Sequence, residues 1–184
     1  MQPSPARPST PEAPSDEALV RAWTDGDAAA FDVLFQRHRR RAYGYALRML
    51  RRPELADEVS TDTFCRILEG RWKPTGRFRG FLFTVLHRRC LEVLRRQSTW
   101  QRVKLRLLPP PEPVAVDDAL VGAGEEARVR RALDALDPDQ RSVLLLYYAQ
   151  ELSTREVGEV LGCTPQQVRS KLSYARRKLR ERLE

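Results

Sequence analysis

Histidine and cysteine are scarce here, two and three of 184, and their scarcity removes whole classes of chemistry. Cys65, Cys90 and Cys163 stand far apart, with no CxxC pair and no His/Cys cluster at ligand spacing, so no zinc site is expected. Scattered thiols of this kind read as small buried residues in a reducing cytosol. His38 and His87 are also far apart and meet a partner only through folding. No P-loop, GxSxG, HExxH or Rossmann glycine pattern is present. We therefore expect no catalytic site, no metal and no cofactor, and read the chain as a binding protein rather than an enzyme. No apolar run nears the roughly 20 residues that span a bilayer. The N-terminus has no apolar signal core. The expected location is the cytoplasm, without membrane insertion. Period-two alternation, the mark of strands, is missing, and no repeat of fixed period is visible.

Charge and helical periodicity, by contrast, are plentiful. Lys and Arg outnumber Asp and Glu by 33 to 25, a net charge of +8. That balance points to a polyanionic partner. Residues 1–14 are rich in Pro, Ser and Ala and read as a disordered tail. Ser15 caps a short helix through Trp23, and Asp25-Gly26-Asp27 marks a turn. Asp27 caps a long helix to about Arg51, packed by Phe31, Leu34, Phe35, Ala42, Tyr45, Ala46 and Met49. The run from His38 to Arg41 lies within it and reads as partly solvated. Pro53 opens a third helix to about Glu69, with Val59, Thr63, Phe64, Ile67 and Leu68 facing inward. Its other side carries Asp57, Glu58, Thr61 and Asp62, an acidic face that either docks a protein or is merely solvated.

Residues 70–76 read as a loop, and a fourth helix covers about Arg79 to Gln97. Phe81, Leu82, Val85, Leu86, Cys90, Val93 and Leu94 pack it. Arg88, Arg89, Arg95 and Arg96, with Phe78, Phe83 and Trp100 nearby, interleave basic groups with aromatics. Such a surface can hold the phosphates of a strand and stack an unpaired base. The alternative is that the aromatics are core and the arginines solvated. Residues 98–124 change character. Their prolines remove donors and restrict their neighbours, so the stretch reads as a flexible linker. Asp117 and Asp118 make its second half mildly acidic. Beyond it, Val129, Ala132, Leu133 and Leu136 form a stripe. Asp137 and Pro138 start a helix whose Val143, Leu144, Leu146, Tyr147 and Tyr148 should fill a second core. The fold class is all-α: two small helical bundles joined by a Pro-containing linker.

Residues 152–183 close the chain with the most specific local pattern. Ser153 and Glu156 form one capping box; Thr164 and Gln167 form another, with Pro165 at the first helical position. Gly162 stands between them, where a helix ends in a left-handed residue. Two helices around a Gly-containing turn make a helix-turn-helix. At 100° per residue, Val168, Leu172, Ala175 and Leu179 fall on the inner side of the second helix. Gln166, Gln167, Arg169, Ser170, Ser173, Tyr174 and Arg177 fall on the other. Arg and Gln are the side chains that pair with guanine and adenine in a major groove. A solvated basic face would look similar, but the caps, turn and polar face agree on DNA.

Four segments in order carry a resemblance. Residues 56–64, Ala-Asp-Glu-Val-Ser-Thr-Asp-Thr-Phe, resemble an AEDLVQETF segment. Residues 78–85, Phe-Arg-Gly-Phe-Leu-Phe-Thr-Val, resemble FRAWLFTI. Residues 136–141, Leu-Asp-Pro-Asp-Gln-Arg, resemble the start of a fourth conserved region, and residues 156–179 its EIA…LG…TVKSRL pattern. Together they resemble the extracytoplasmic-function (ECF) group of bacterial sigma-70-family RNA polymerase sigma factors. The likeness spans residues 16–97 and 125–183.

That resemblance implies a region-2-like domain over residues 15–97 and a region-4-like domain over 125–184. It implies core RNA polymerase as partner, through the β′ clamp helices and β flap, with Glu58, Thr61 and Asp62 docking. It implies promoter DNA as the second partner. Arg88, Arg89, Glu92, Arg95 and Arg96 would serve the minus-ten element, including capture of an unpaired base. The helix-turn-helix face would read the minus-thirty-five element. The linker would thread toward the RNA exit path, and an anti-sigma factor would be a further partner. Thr61 stands where Gln is common, and Glu58 and Asp62 exchange the usual Asp and Glu. Arg88 replaces a common Asn and Glu92 a common Asp, so Arg88 is suited to grip phosphate, and an unusual minus-ten sequence is expected. The rival reading is a stand-alone helix-turn-helix regulator that binds a palindrome as a dimer.

Overall fold

The computed structural model describes residues 13–70, 77–107 and 124–184, the side chains of 100–107 and 126 excepted. Among the described residues all regular structure is helical. Four helices build the first bundle: α1 (Asp16–Thr24), α2 (Ala28–Leu50), α3 (Pro53–Leu68) and α4 (Phe78–Leu107). Four build the second: α5 (Glu125–Asp134), α6 (Pro138–Leu144), α7 (Thr154–Leu161) and α8 (Pro165–Leu183). The tail before residue 13, most of the 70–76 loop and the linker's residues 108–123 lie outside the described residues.

Local chemistry sets the helix ends. The Ser15 hydroxyl accepts from Ala18 N–H, and an Asp27 carboxylate oxygen from Ala29 N–H. Leu34, Tyr45, Met49, Ile67, Leu82, Phe83 and Leu86 are fully buried in the first bundle. Burial of an aliphatic side chain of this size is worth about 2–3 kcal/mol. Leu146, Leu152, Val143, Val157 and Val168 do the same in the second, and the two cores are continuous.

Several sequence expectations need correction. Helix α4 does not stop near Gln97; it runs on to Leu107, into the expected linker, because nothing from 98 to 107 breaks a helix until the prolines. Leu68 and Val129 are exposed rather than inward-facing, and Ala127 takes the buried place on α5. Phe78 and Phe83 are buried core side chains, so neither can stack a base. His38 is buried rather than solvated: its Nε2 lies 2.6 Å from an Asp16 carboxylate oxygen, tying α1 to α2. Burial lowers the His38 pKa, against the opposing pull of Asp16. Of the thiols, only Cys90 is buried; Cys65 is exposed and Cys163 half-buried. Burial pushes the Cys90 pKa up to about 12 and leaves it an inert thiol.

Helix α6 also departs from expectation. Residues Leu145–Ala149 continue it as a π-helix, with Gln150 N–H donating to Leu145 C=O at 3.0 Å. The wider turn rotates the next side chains out of phase with Val143 and Leu144. Tyr148 is therefore 54% exposed and Tyr147 only half-buried, the two rings meeting edge to face. Glu151 then ends the run in the left-handed region, φ 54°.

Arg141 joins the bundles. Its buried guanidinium makes five hydrogen bonds, all to backbone carbonyls. Three go to Leu133, Asp134 and Leu136, at the end of α5. Two go to Arg48 and Met49, at the end of α2. The five N–H groups of arginine are all used, and a cation between two helix C-termini meets two negative dipole ends. The bundles also meet where Arg79 donates to Glu151 C=O at 3.2 Å and where α4 packs on α7.

Candidate functional site

The helix-turn-helix forms as its caps dictate. Ser153 Oγ accepts from Glu156 N–H, and a Glu156 carboxylate oxygen accepts from Ser153 N–H at 2.9 Å. Burial would raise the Glu156 pKa, but the Ser153 hydrogen bonds, then Arg79 and Arg77, more than offset it and hold it below the ordinary range. Gly162 closes α7 at φ 66°. The turn is tight against α7: a methyl group on Gly158 would sit 2.5 Å from the Cys163 carbonyl oxygen. Thr164 Oγ1 then accepts from Gln167 N–H, and Gln167 Oε1 from Thr164 N–H at 2.8 Å.

Helix α8 buries Val168, Leu172 and Ala175 and half-buries Leu179. Gln166, Gln167, Arg169, Ser170, Ser173, Tyr174 and Arg177 are all exposed. Four of them are already engaged locally, Gln167, Ser170, Tyr174 and Arg177, the last also 3.9 Å from a Glu181 carboxylate oxygen. Gln167 spends its carbonyl on the cap, and the Ser170 hydroxyl donates to Gln166 C=O at 3.3 Å. Tyr174 presents a ring 45% exposed, with the Arg177 guanidinium 5.1 Å from its centroid.

On α3, Glu58 and Thr61 are exposed, beside a groove of about 300 Å³ between α2 and α3 lined by Phe35, Tyr43, Ser60, Thr61 and Phe64 among others. Asp62 is not free alongside them. Its Oδ2 accepts from Arg66 Nε at 2.8 Å, which raises the Arg66 pKa above its ordinary value. Arg89 Nε lies 2.7 Å from the same oxygen, a close ion pair whose N–H is not aligned as a hydrogen bond. Arg89 Nη1 also donates to Glu92. On α4, Arg88, Glu92, Arg95 and Arg96 are exposed, while the Arg89 side chain is only 20% exposed. The structure thus brings Asp62 and Arg89, expected on different surfaces, into contact.

Two functional-looking groups escaped the sequence reading. Arg141 stands before an apolar run, and its five carbonyl partners come from two bundles. The Tyr45 hydroxyl, fully buried, pairs with His87 Nδ1 at 2.9 Å. Burial drives the Tyr45 pKa well above its ordinary value, so the hydroxyl stays protonated, and which of the two groups donates follows the His87 tautomer. Nothing in the local sequence signals a pair 42 residues apart. Among the described residues no group of three His, Cys, Asp or Glu side chains could hold a metal ion, and no helix is long and apolar enough to cross a membrane.

Comparison with known proteins matches two family models, Sigma-70 region 2 over residues 34–99 and Sigma-70, region 4 over residues 126–179. The chain is 32% identical over 170 residues to the RNA polymerase sigma factor CarQ of Myxococcus xanthus, covering 89% of this chain and 95% of CarQ. It is 31% identical over 187 residues to the ECF RNA polymerase sigma factor SigE of Mycolicibacterium smegmatis (92% and 70%). Among solved structures, CnrH in complex with the cytosolic domain of CnrY matches with a TM-score of 0.67 at 25% identity, covering 90% of this chain and 95% of that one. The sigma factor RpoE in complex with the anti-sigma factor NepR from Bartonella quintana shares the fold, with a TM-score of 0.67 at 21% identity (83% and 96%). Two helical bundles in this order, ending in a doubly capped helix-turn-helix, match in sequence and in shape: the chain belongs to the ECF RNA polymerase sigma factors of the sigma-70 family.

Proposed function

We propose that this sigma factor recognises promoters in two parts and captures one strand, while core RNA polymerase makes the bonds. Membership of the family carries the coarser statement, RNA polymerase binding and transcription initiation. For the finer one, the supporting observation is the face of α8. Seven polar or amphipathic side chains are exposed there, opposite buried Val168, Leu172 and Ala175. That face reads the minus-thirty-five element, with Arg169 and Gln166 at base edges and Arg177 on phosphate. Residues 125–184 form the domain that does so.

Residues 15–97 form the other domain. Its Glu58, Thr61 and Asp62 dock on the polymerase β′ clamp helices, and Arg88, Arg89, Glu92, Arg95 and Arg96 serve the minus-ten strand. Base stacking falls to a side chain other than Phe78 or Phe83. The solved relatives are complexes with partner proteins, the anti-sigma factor NepR in one and the cytosolic domain of CnrY in the other, and a partner of that kind is proposed here too. The site of action is the cytoplasm, with the polymerase.

Run-off transcription on a pool of genomic promoters, with core polymerase and with or without the chain, tests this reading. Promoter-specific transcripts are expected with the wild type. They should vanish when Glu58 and Asp62 are both reversed to Lys. Absence of transcripts, with salt-sensitive binding of a palindrome by the chain alone, would establish the stand-alone regulator instead. Arg88→Ala should weaken promoter melting and alter minus-ten preference, read by permanganate footprinting.

A further inference from the structure

A cavity of about 710 Å³ opens between α1, α2 and the start of α4, away from the docking and DNA faces. Its lining sets four guanidiniums, of Arg37, Arg41, Arg77 and Arg79, against the carboxylates of Asp16 and Glu17. Arg37 is the one that the cavity itself holds, donating to Asp16 at 2.6 Å and to the Pro14 carbonyl at 2.9 Å. Arg79 donates to the Glu151 carbonyl. Arg41 and Arg77 are held more loosely. Each has an ion pair at 3.8 Å to a carboxylate of the second bundle, Arg41 to Glu151 and Arg77 to Glu156. Their side chains are 49% and 75% exposed, free to turn toward a ligand. His38 lines the same cavity, is 4% exposed, and its Nδ1 has no hydrogen-bond partner among the described residues. A buried polar atom of that kind is uncommon in a folded chain and calls for a partner.

We propose that this cavity binds a compact oligophosphate, inorganic or the phosphate chain of a nucleotide, which takes Arg41 and Arg77 from Glu151 and Glu156. Guanidinium forks match phosphate oxygens two at a time. Arginines on separate walls, α2 and the entry to α4, need an anion whose charge is spread along its length. Sulfate or a single carboxylate lacks that reach. The volume lies within the range of about 300–1,000 Å³ usual for small-molecule sites. No Phe, Tyr or Trp is among the lining residues, so a base gains little by stacking and the phosphates carry the recognition. Exposed ion pairs are weak, and a phosphate chain that bonds both guanidiniums displaces them. Both competing carboxylates belong to the second bundle. Anion binding and bundle contact therefore oppose each other, and the opposition is reciprocal.

Isothermal titration of the full chain with inorganic tripolyphosphate, ATP and sulfate tests this. Tripolyphosphate should bind at one per chain, and sulfate far more weakly. Arg41→Gln and Arg77→Gln should each weaken tripolyphosphate by about 10-fold. Arg155→Gln removes the same charge from a side chain 86% exposed on α7 and should change nothing. Glu151→Gln should tighten binding by about 2- to 5-fold, the worth of an exposed pair, whereas Glu159→Gln, an equal change of charge away from the cavity, should not. ATP binding as well as tripolyphosphate assigns the site to the chain the two share; binding of tripolyphosphate alone assigns it to the inorganic form, and either upholds the proposal. Three results overturn it: no saturable binding, binding that survives Arg41→Gln and Arg77→Gln together, or an equal loss with Arg155→Gln, which is attraction to net charge alone. A Glu151→Gln chain that binds like wild type overturns the competition with the second bundle. All substituted side chains are at least 49% exposed, and an unchanged thermal midpoint checks that each variant folds.

Discussion

At the scale of single residues, the buried titratable groups set how the chain responds to acid. His87 is enclosed, hydrogen-bonded to the Tyr45 hydroxyl, and has its pKa lowered to about 4, by burial first and by Arg88, with Asp139 pulling the other way. The unfolded chain binds a proton at His87 near pH 6.5, while the folded chain resists it until about 4. Stability from this group is therefore full above pH 6.5 and falls as pH drops from 6.5 toward 4. The loss approaches about 3 kcal/mol at the acid end. His38, also lowered by burial, adds a loss of the same sign. Urea unfolding midpoints of wild type and His87→Gln, compared across that window, should converge as pH falls. Parallel curves would show that His87 does not titrate as described. Neither histidine's role was legible in the sequence, because a lone His on a helix says nothing of what closes over it.

At the scale of elements, Gly158 decides whether the helix-turn-helix closes. Alanine is the better helix former by about 1 kcal/mol, yet its methyl would press on the Cys163 carbonyl at 2.5 Å. Overpacking against backbone costs about 1–3 kcal/mol. Gly158→Ala should therefore destabilise the second bundle, read as a lower thermal midpoint. It should weaken DNA binding by re-aiming α8. What sequence made visible here was local. Both capping boxes, Gly162 and the split of α8 into two faces need only residues three or four apart. Stripe edges were less visible, since periodicity names a direction but not how far a neighbouring helix covers it. Leu68 and Val129 fall just outside that cover. Tyr148 was misread for another reason: a π-turn breaks the 3.6-residue count on which the reading depended. The Asp62–Arg89 contact lay out of reach because the two residues stand on different helices that meet only in the packed bundle.

At the scale of the whole molecule, Arg141 matters most. Lysine has three donors on a flexible stem and cannot satisfy five carbonyls in two directions. Arg141→Lys should cost about 3 kcal/mol in unfolding stability and loosen one bundle from the other, seen as a larger radius of gyration by small-angle scattering. An unchanged radius would show that the other contacts between the bundles, among them the α4–α7 packing, the Arg79–Glu151 and Arg51–Asp134 hydrogen bonds and the shared core, hold them without it. The proposed two-part reading sets a length against which this joint can be judged. Elements centred at minus ten and minus thirty-five are about 25 base pairs apart, or about 85 Å at 3.4 Å per step. A compact chain of this length has a radius of gyration of only about 16 Å. Bundles packed together, as here, fall short of that distance, so reading both elements at once requires them to part. Arg141 is built to permit it. Three of its bonds stay within the second bundle, and only the two to Arg48 and Met49 cross over. On separation those two carbonyls pass to water while the guanidinium keeps its seat. The joint is thus lopsided, more a fastener seated in one half than a weld between two: parting breaks two of its five bonds and asks nothing of the other three.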